Sequence, residues 1–177
     1  MQTGIGRTGK LFGHEWSGVT PDIMGLAKGI AGGFPCGAVL ATEAVGKTLT
    51  PGSHGSTFGG NPLAMAVANA TLDVITGPGF LDEVVAAGNA LKAGIEAVAA
   101  KHPSVITGVR GKGLMLGIVV AAPHTNGALG EAALKEGLLT VVAGDNVLRF
   151  VPPLIVRDAE IAAALEKLDS ACAALSR

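Results

Sequence analysis

Glycine constrains this chain more than any other residue. It fills 27 of 177 positions, about twice its usual ~7% share. Glycine reaches backbone conformations closed to other residues and lets backbones approach closely. The glycines cluster between Gly4 and Gly60, so this stretch is expected to consist of turns joining short apolar runs. Two such runs are Asp22–Ala27, which ends at Lys28, and Cys36–Ala41. Runs this short do not separate strand from helix by periodicity, but their glycine flanks favour strands.

Beyond Gly60 the pattern changes. Asn61-Pro62 opens a helix, because Asn caps well and Pro loses nothing at the first helical position. Leu63, Val67, Ala70 and Val74 recur at helical spacing and predict its buried face. Gly77-Pro78-Gly79 ends it, and a domain boundary is placed there. A second helix is expected over Leu81–Lys101, burying Val84, Gly88, Leu91, Ile95 and Val98. Val105–Val109 and Leu114–Val120 read as a hairpin turning at Arg110-Gly111-Lys112-Gly113. Ala128–Glu136 reads as a short helix closed by Gly137. Strands Leu138–Val142 and Val147–Val151 flank Gly144-Asp145-Asn146. A last helix, capped by Asp158, buries Ile161, Leu165, Leu168, Cys172 and Leu175. The last hundred residues thus form an α+β unit.

Composition excludes several classes. Hydrophobic residues make up 49% and charged ones 15%, which is no composition for a disordered chain. With a net charge of -1, one Trp and no Tyr, neither a basic footprint nor a stacking platform for nucleic acid exists. No apolar run approaches the ~20 residues of a membrane span. Nor does an apolar segment of signal-peptide type follow Met1. Cys36 and Cys172 suit a reducing compartment better than a disulfide framework. The expectation is a cytoplasmic, soluble protein with no nucleic-acid or membrane partner. His14, His54, His102 and His124 lack metal-ligand spacing, so no metal is expected.

Four features could carry chemistry. Gly4-Ile5-Gly6-Arg7-Thr8-Gly9 has the letters of a dinucleotide fingerprint and, with Lys10, nearly those of a P-loop. Either needs a strand just upstream, and Leu11 stands where a P-loop has Ser or Thr; a plain glycine-rich loop accounts for the residues better. Lys28 is a lone cation after an apolar run. Were that run a buried strand, desolvation would free its amine as a nucleophile; were it to end at the surface, Lys28 would simply meet water. His54–Pro62 sets the hydroxyls of Ser56 and Thr57 before a helix N-terminus, which suits a phosphate and equally suits an ordinary turn. Arg149, inside an apolar strand, needs an acidic partner, either a structural carboxylate or a ligand.

Taken together, these segments resemble the class III (fold type I) pyridoxal-phosphate-dependent aminotransferases, most of all the acetylornithine branch. The resemblance rests on Gln2–Lys10, Thr20–Ile23, Leu26–Gly29, Gly32–Pro35 and His54–Pro62, in the family's order and spacing. It continues through Leu148–Leu154. It implies an α/β fold: residues 1–76 as the end of the large cofactor-binding domain and 77–177 as the small C-terminal domain. By the same resemblance Lys28 is the catalytic lysine that carries pyridoxal 5′-phosphate covalently and then acts as general base and acid. Gln2 lies beside the cofactor's ring hydroxyl, and Ser56 and Thr57 reach the phosphate of a neighbouring subunit in a homodimer. Arg149 grips a substrate carboxylate with its two-pronged guanidinium.

The activity implied is transfer of an amino group from N-acetylornithine to 2-oxoglutarate, in arginine biosynthesis. Ornithine, succinyldiaminopimelate and 4-aminobutyrate are lesser alternatives as donors. Family members are more than twice this long. The aspartate that pairs with the pyridine nitrogen, the upstream phosphate loop and the stacking aromatic would all lie before Gln2. The expectation is therefore of a truncated chain, through an internal valine codon read as a start or through deliberate shortening. A catalytically incomplete fragment is the competing reading.

Overall fold

The structure, a computed structural model, describes residues 2–176. It divides into two compact units, residues 1–81 and 82–177. No single helix among the described residues is long and apolar enough to cross a membrane.

The first unit carries little regular structure before residue 60. Residues 4–18 form a loop closed by a 3-10 turn, Gly13–Ser17. Glu15 steadies this turn by accepting the Phe12 N–H at 2.6 Å. The Trp16 indole N–H donates to Thr8 Oγ1 at 3.1 Å, and the Lys10 ammonium lies 4.8 Å from the Trp16 ring centroid, a cation–π pair. No α-helix opens at Gly9: the next element is the 3-10 turn Gly13–Ser17. Neither nucleotide-binding motif therefore has the frame it needs.

Strand β1 (Ile23–Leu26) pairs antiparallel with β2 (Ala38–Ala41), in the register Ile23↔Ala41 to Leu26↔Ala38. The short helix α1 (Glu43–Gly46) follows. Both strands fall inside the apolar runs expected to form them, but neither is buried. Ile23 is 59% exposed and Val39 74%. Of the two alternatives for the run before Lys28, the structure shows the surface one: a two-stranded ribbon has no helix layer of its own to cover it.

Helix α2 (Pro62–Ile75) starts as expected. The Asn61 side chain accepts the Ala64 N–H, and Pro62 occupies the first turn. Its buried face is not the expected one. Ala64, Ala68 and Ile75 are buried, whereas Leu63 and Val74 are 61% and 58% exposed. Both faces of α2 are apolar, so periodicity did not choose between them. Contact with the preceding turn did: α2 packs on residues 28–31, and a Cβ on Gly32 just after them would already stand 3.1 Å from Thr71 Oγ1.

The second unit is a four-stranded antiparallel sheet with helices. Helix α3 (Phe80–Lys101) buries Val84, Gly88, Leu91, Ile95 and Val98, the stripe its sequence predicts. Strands β3 (Ile106–Lys112) and β4 (Met115–Val120) form a hairpin, and helix α4 (Asn126–Lys135) follows, capped by Thr125. Strands β5 (Val141–Ala143) and β6 (Val147–Phe150) complete the sheet in the order β3-β4-β6-β5. Helix α5 (Asp158–Leu175) closes the unit. The core joins alternate strand residues Leu116, Ile118, Leu148 and Phe150 to Leu91, Ile95, Leu129, Ile161 and Leu168, all at 5% exposure or less.

Three boundaries differ from expectation. The β3–β4 turn is not Arg110–Gly113. The ladder continues to Lys112↔Met115 and leaves only Gly113-Leu114 to turn. Gly111 has φ +128 and a Cβ there would stand 2.0 Å from Met115 O, so it is a close-approach glycine within the strand and not part of the turn. Strand β5 begins at Val141, and Leu139 before it is 84% exposed. Arg157, not Asp158, is the N-cap of α5. Glu160 Oε2 accepts the Arg157 N–H at 3.0 Å, so the third helical residue satisfies the N-cap's own N–H, the reciprocal half of a capping box.

Candidate functional site

Lys28 follows β1 directly and opens a 3-10 turn, Lys28–Ala31. Ala27 before it is fully extended (φ -164°), and Lys28 itself sits at φ 58°. A left-handed backbone is costly for a residue with a Cβ, about 1–2 kcal/mol. Such conformations persist where the surroundings impose them, frequently at functional positions. The anchors here are Ile30 and Ala31, which are buried (6% and 1% exposed), and Gly32, whose N–H donates to Gly29 O at 3.2 Å. The turn is fixed at its base, and Lys28 is exposed at its head.

The Ser56–Thr57 segment belongs to an exposed loop spanning residues 51–60. Ser56 Oγ accepts the Gly59 N–H at 2.9 Å, so that hydroxyl shapes the loop from within. The loop delivers the chain to the N-terminus of α2, where Asn61 satisfies one N–H of the first turn and a positive dipole end remains. Thr57 is exposed just ahead of it. Gln2 is also exposed, at the start of the described residues. Arg7, in the glycine-rich loop, is half-buried; desolvation holds its guanidinium below its ordinary range.

Arg149 lies on β6, opposite Gly117 of β4 on one side and Val141 of β5 on the other. It is half-buried, between the buried residues Leu148 and Phe150. Gly117 brings no side chain opposite it, and is itself held close to β6: a Cβ there would stand 2.7 Å from Val147 Cγ1. Of the residues expected to form a site, Gln2, Lys28, Ser56 and Thr57 lie in the first unit and Arg149 in the second.

Two polar features of the second unit escaped the sequence reading. Arg110 takes part in the ladder opposite Gly117 and reaches Asp145 Oδ2 at 3.3 Å. Asn126 and Asn146 join the end of β4, the start of α4 and the β5–β6 turn through their carboxamides. The available signal was Asp145-Asn146 after a glycine, a pair that tolerates left-handed backbone (φ 57° and 53°). Among the described residues no cluster of three or more His, Cys, Asp or Glu could hold a metal ion.

The family model for class III aminotransferases matches residues 1–172. The chain belongs to this family. Acetylornithine aminotransferase 1 of Bradyrhizobium diazoefficiens is 54% identical over 176 residues, covering 99% of this chain and 43% of the relative. The acetylornithine aminotransferase of Mesorhizobium japonicum is 55% identical over 168 residues, covering 95% and 42%. Among solved structures, N-acetylornithine aminotransferase from Stenotrophomonas maltophilia matches with a TM-score of 0.88 at 41% identity, covering 99% of this chain and 46% of that one. An ornithine aminotransferase from Toxoplasma gondii, whose structure shows partial occupancy of pyridoxal phosphate at its active site, matches with a TM-score of 0.90 at 32% identity, covering 99% and 42%. The chain therefore spans less than half the length of the relatives it matches. The fold is that of part of a fold type I transferase, and class III aminotransferases are pyridoxal-phosphate-dependent enzymes.

Proposed function

We propose that this chain is the C-terminal part of an aminotransferase that moves an amino group from N-acetylornithine, or a related ω-amine, to 2-oxoglutarate in arginine biosynthesis. In this reading it acts in the cytoplasm as a homodimer. Residues 1–76 are the end of the large domain and 77–177 the small one. The observation that carries the reading is Lys28, held left-handed on an anchored turn with its head exposed, in a chain with the class III pattern along nearly its whole length.

The residues present fit pyridoxal phosphate. Lys28 offers an exposed amine for covalent attachment. Ser56 and Thr57 offer hydroxyls beside a helix N-terminus, which suits a phosphate. Gln2 offers a carboxamide for the ring hydroxyl. When bound, the cofactor supplies an electron sink for the carbon that carries the substrate's amine. The Lys28 amine would take and return that carbon's proton as general base and acid. Arg149 holds a substrate carboxylate through paired, charge-assisted hydrogen bonds.

A second reading, that this polypeptide alone does not turn over, is favoured by its share of the relatives, 43% and 42% of their lengths. One experiment addresses both. The purified chain is mixed with pyridoxal phosphate, scanned for a visible absorption band, reduced with borohydride and mapped by peptide mass. A band lost in Lys28→Ala, with the adduct on the Lys28 peptide, supports cofactor attachment. No lysine-specific adduct rejects it for this chain. Glutamate release from N-acetylornithine and 2-oxoglutarate then separates an active chain from an incomplete one.

A further inference from the structure

The hydrophobic pattern of β6 does not by itself fix where Arg149 lies. Val147, Arg149 and Val151 alternate with Leu148 and Phe150. A slip of one residue would turn the guanidinium into the core, and the cost of burying a charge forbids it. A slip of two residues keeps the alternation. It would set Arg149 opposite Met115 or Val119 in place of Gly117, its observed partner. Gly117 is the position in that stretch of β4 that brings no side chain. A Cβ there would stand 2.7 Å from Val147 Cγ1 and 3.7 Å from Arg110 Cγ.

The β5–β6 turn is clasped by two carboxamides. Asn146 Nδ2 donates to Val120 O at 2.9 Å and to His124 O at 3.0 Å. Its Oδ1 accepts the Asn126 N–H at 2.7 Å. Asn126 Nδ2 in turn donates to Ala143 O at 2.7 Å and Val147 O at 3.0 Å. Both ends of the turn are thereby tied to the last residue of β4 and the first residue of α4. The backbone adds Val120 N–H to Asn146 O at 3.0 Å. A two-residue slip would break every one of these bonds, and half-buried amides left unpaired are costly.

We infer that Asn126 and Asn146 are positioning residues for Arg149: their clasp selects the register that places the arginine opposite Gly117. The functional consequence rests on the reading of Arg149 as the carboxylate-binding arginine; the structural part does not.

The test uses the full chain, isotope-labelled for NMR, with Asn126→Ala and Asn146→Gly. The glycine keeps the left-handed turn accessible, and Asn126→Ala leaves the turn sequence intact should the other variant not fold. Register is read from contacts between the Gly117 and Arg149 backbones. Affinity for 2-oxoglutarate is read at the Arg149 side-chain N–H of the folded population, which a mere loss of stability does not move. The expected result is loss of Gly117–Arg149 contacts, persistence of Arg110–Gly117 contacts between β3 and β4, and affinity weakened about tenfold or more. Variants that keep both the Gly117–Arg149 contacts and wild-type affinity overturn the inference. If 2-oxoglutarate leaves the wild-type Arg149 signal unmoved, the carboxylate reading fails, and the register comparison still decides the clasp.

Discussion

Two residues show how local physics singles out positions that composition hides. Lys28 is one of three described non-glycine residues with positive φ, with Asp145 and Asn146. Asp and Asn tolerate that conformation and Lys does not, so the surrounding structure holds Lys28 there at a cost. Lys28→Gly is therefore expected to be more stable than Lys28→Ala, by about 1 kcal/mol in urea denaturation; equal stability would mean the turn relaxes freely. Asp169 is the second. It accepts from Lys101 Nζ at 3.0 Å and from His102 Nε2 at 2.8 Å, and these bonds, Lys101's first, hold its carboxyl below the ordinary value of 3.8. A carboxyl depressed in the folded state stabilises the fold fully above its unfolded pKa. That contribution is lost as pH falls from there through the folded value. Asp169→Asn should thus lower the melting temperature near neutral pH and flatten its fall below about pH 4. An unchanged acid limb would exclude the pair as a source of acid sensitivity.

At the scale of elements, glycines on α3 set how closely it packs. A Cβ on Gly88 would stand 2.5 Å from the Gly113 backbone carbon, and backbone cannot swing aside. Gly88→Ala is expected to destabilise the unit by about 1–3 kcal/mol, despite alanine's better helix propensity; urea midpoints measure it. Helix α5 supplies a second check. Burial, then the charge of Asp169, push the Cys172 thiol up to about 12, so Cys172 should resist a thiol reagent at pH 8 until unfolding, while half-buried Cys36 reacts. Two fast thiols in the native chain would contradict the packing of α5. The α3 stripe was legible because a long helix repeats its signal over six turns and one face must meet a sheet. The α2 face was not, because both faces are apolar and contact distance decided between them. The β3–β4 turn was misplaced because Gly111, which turn chemistry and close approach both favour, served the latter. For the candidate site, Lys28 and Arg149 were visible as charges in apolar runs. Asn126 and Asn146 were not: Asp145-Asn146 signals only a turn, and a clasp joining residues twenty apart leaves no local pattern of its own.

Over the whole molecule, the two units bury their apolar surface unequally. The second has a continuous core, whereas the first leaves Val39, Leu49, Phe58, Leu63 and Val74 each more than half exposed, Phe58 at 79%. Single exposed apolar residues need no explanation, but accumulation over one small unit marks a surface that meets another. In relatives more than twice this length, such a surface has further chain available to cover it. In this chain a second copy can serve. The chain should therefore self-associate with rising concentration in sedimentation velocity, and should do so less with Leu63→Glu and Phe58→Ser together. Both side chains are exposed and neither position belongs to the core, so the substitutions should leave the melting of the second unit within about 0.5 kcal/mol of wild type. Association that persists undiminished in this double variant would move the contact to the second unit. There Leu139 and Ile155, 84% and 63% exposed, border an apolar groove of about 560 Å³ beside β5. Leu139→Lys would then be the substitution that separates the copies. A chain that stays monomeric at every concentration would show that the exposed surface of the first unit is tolerated as it stands.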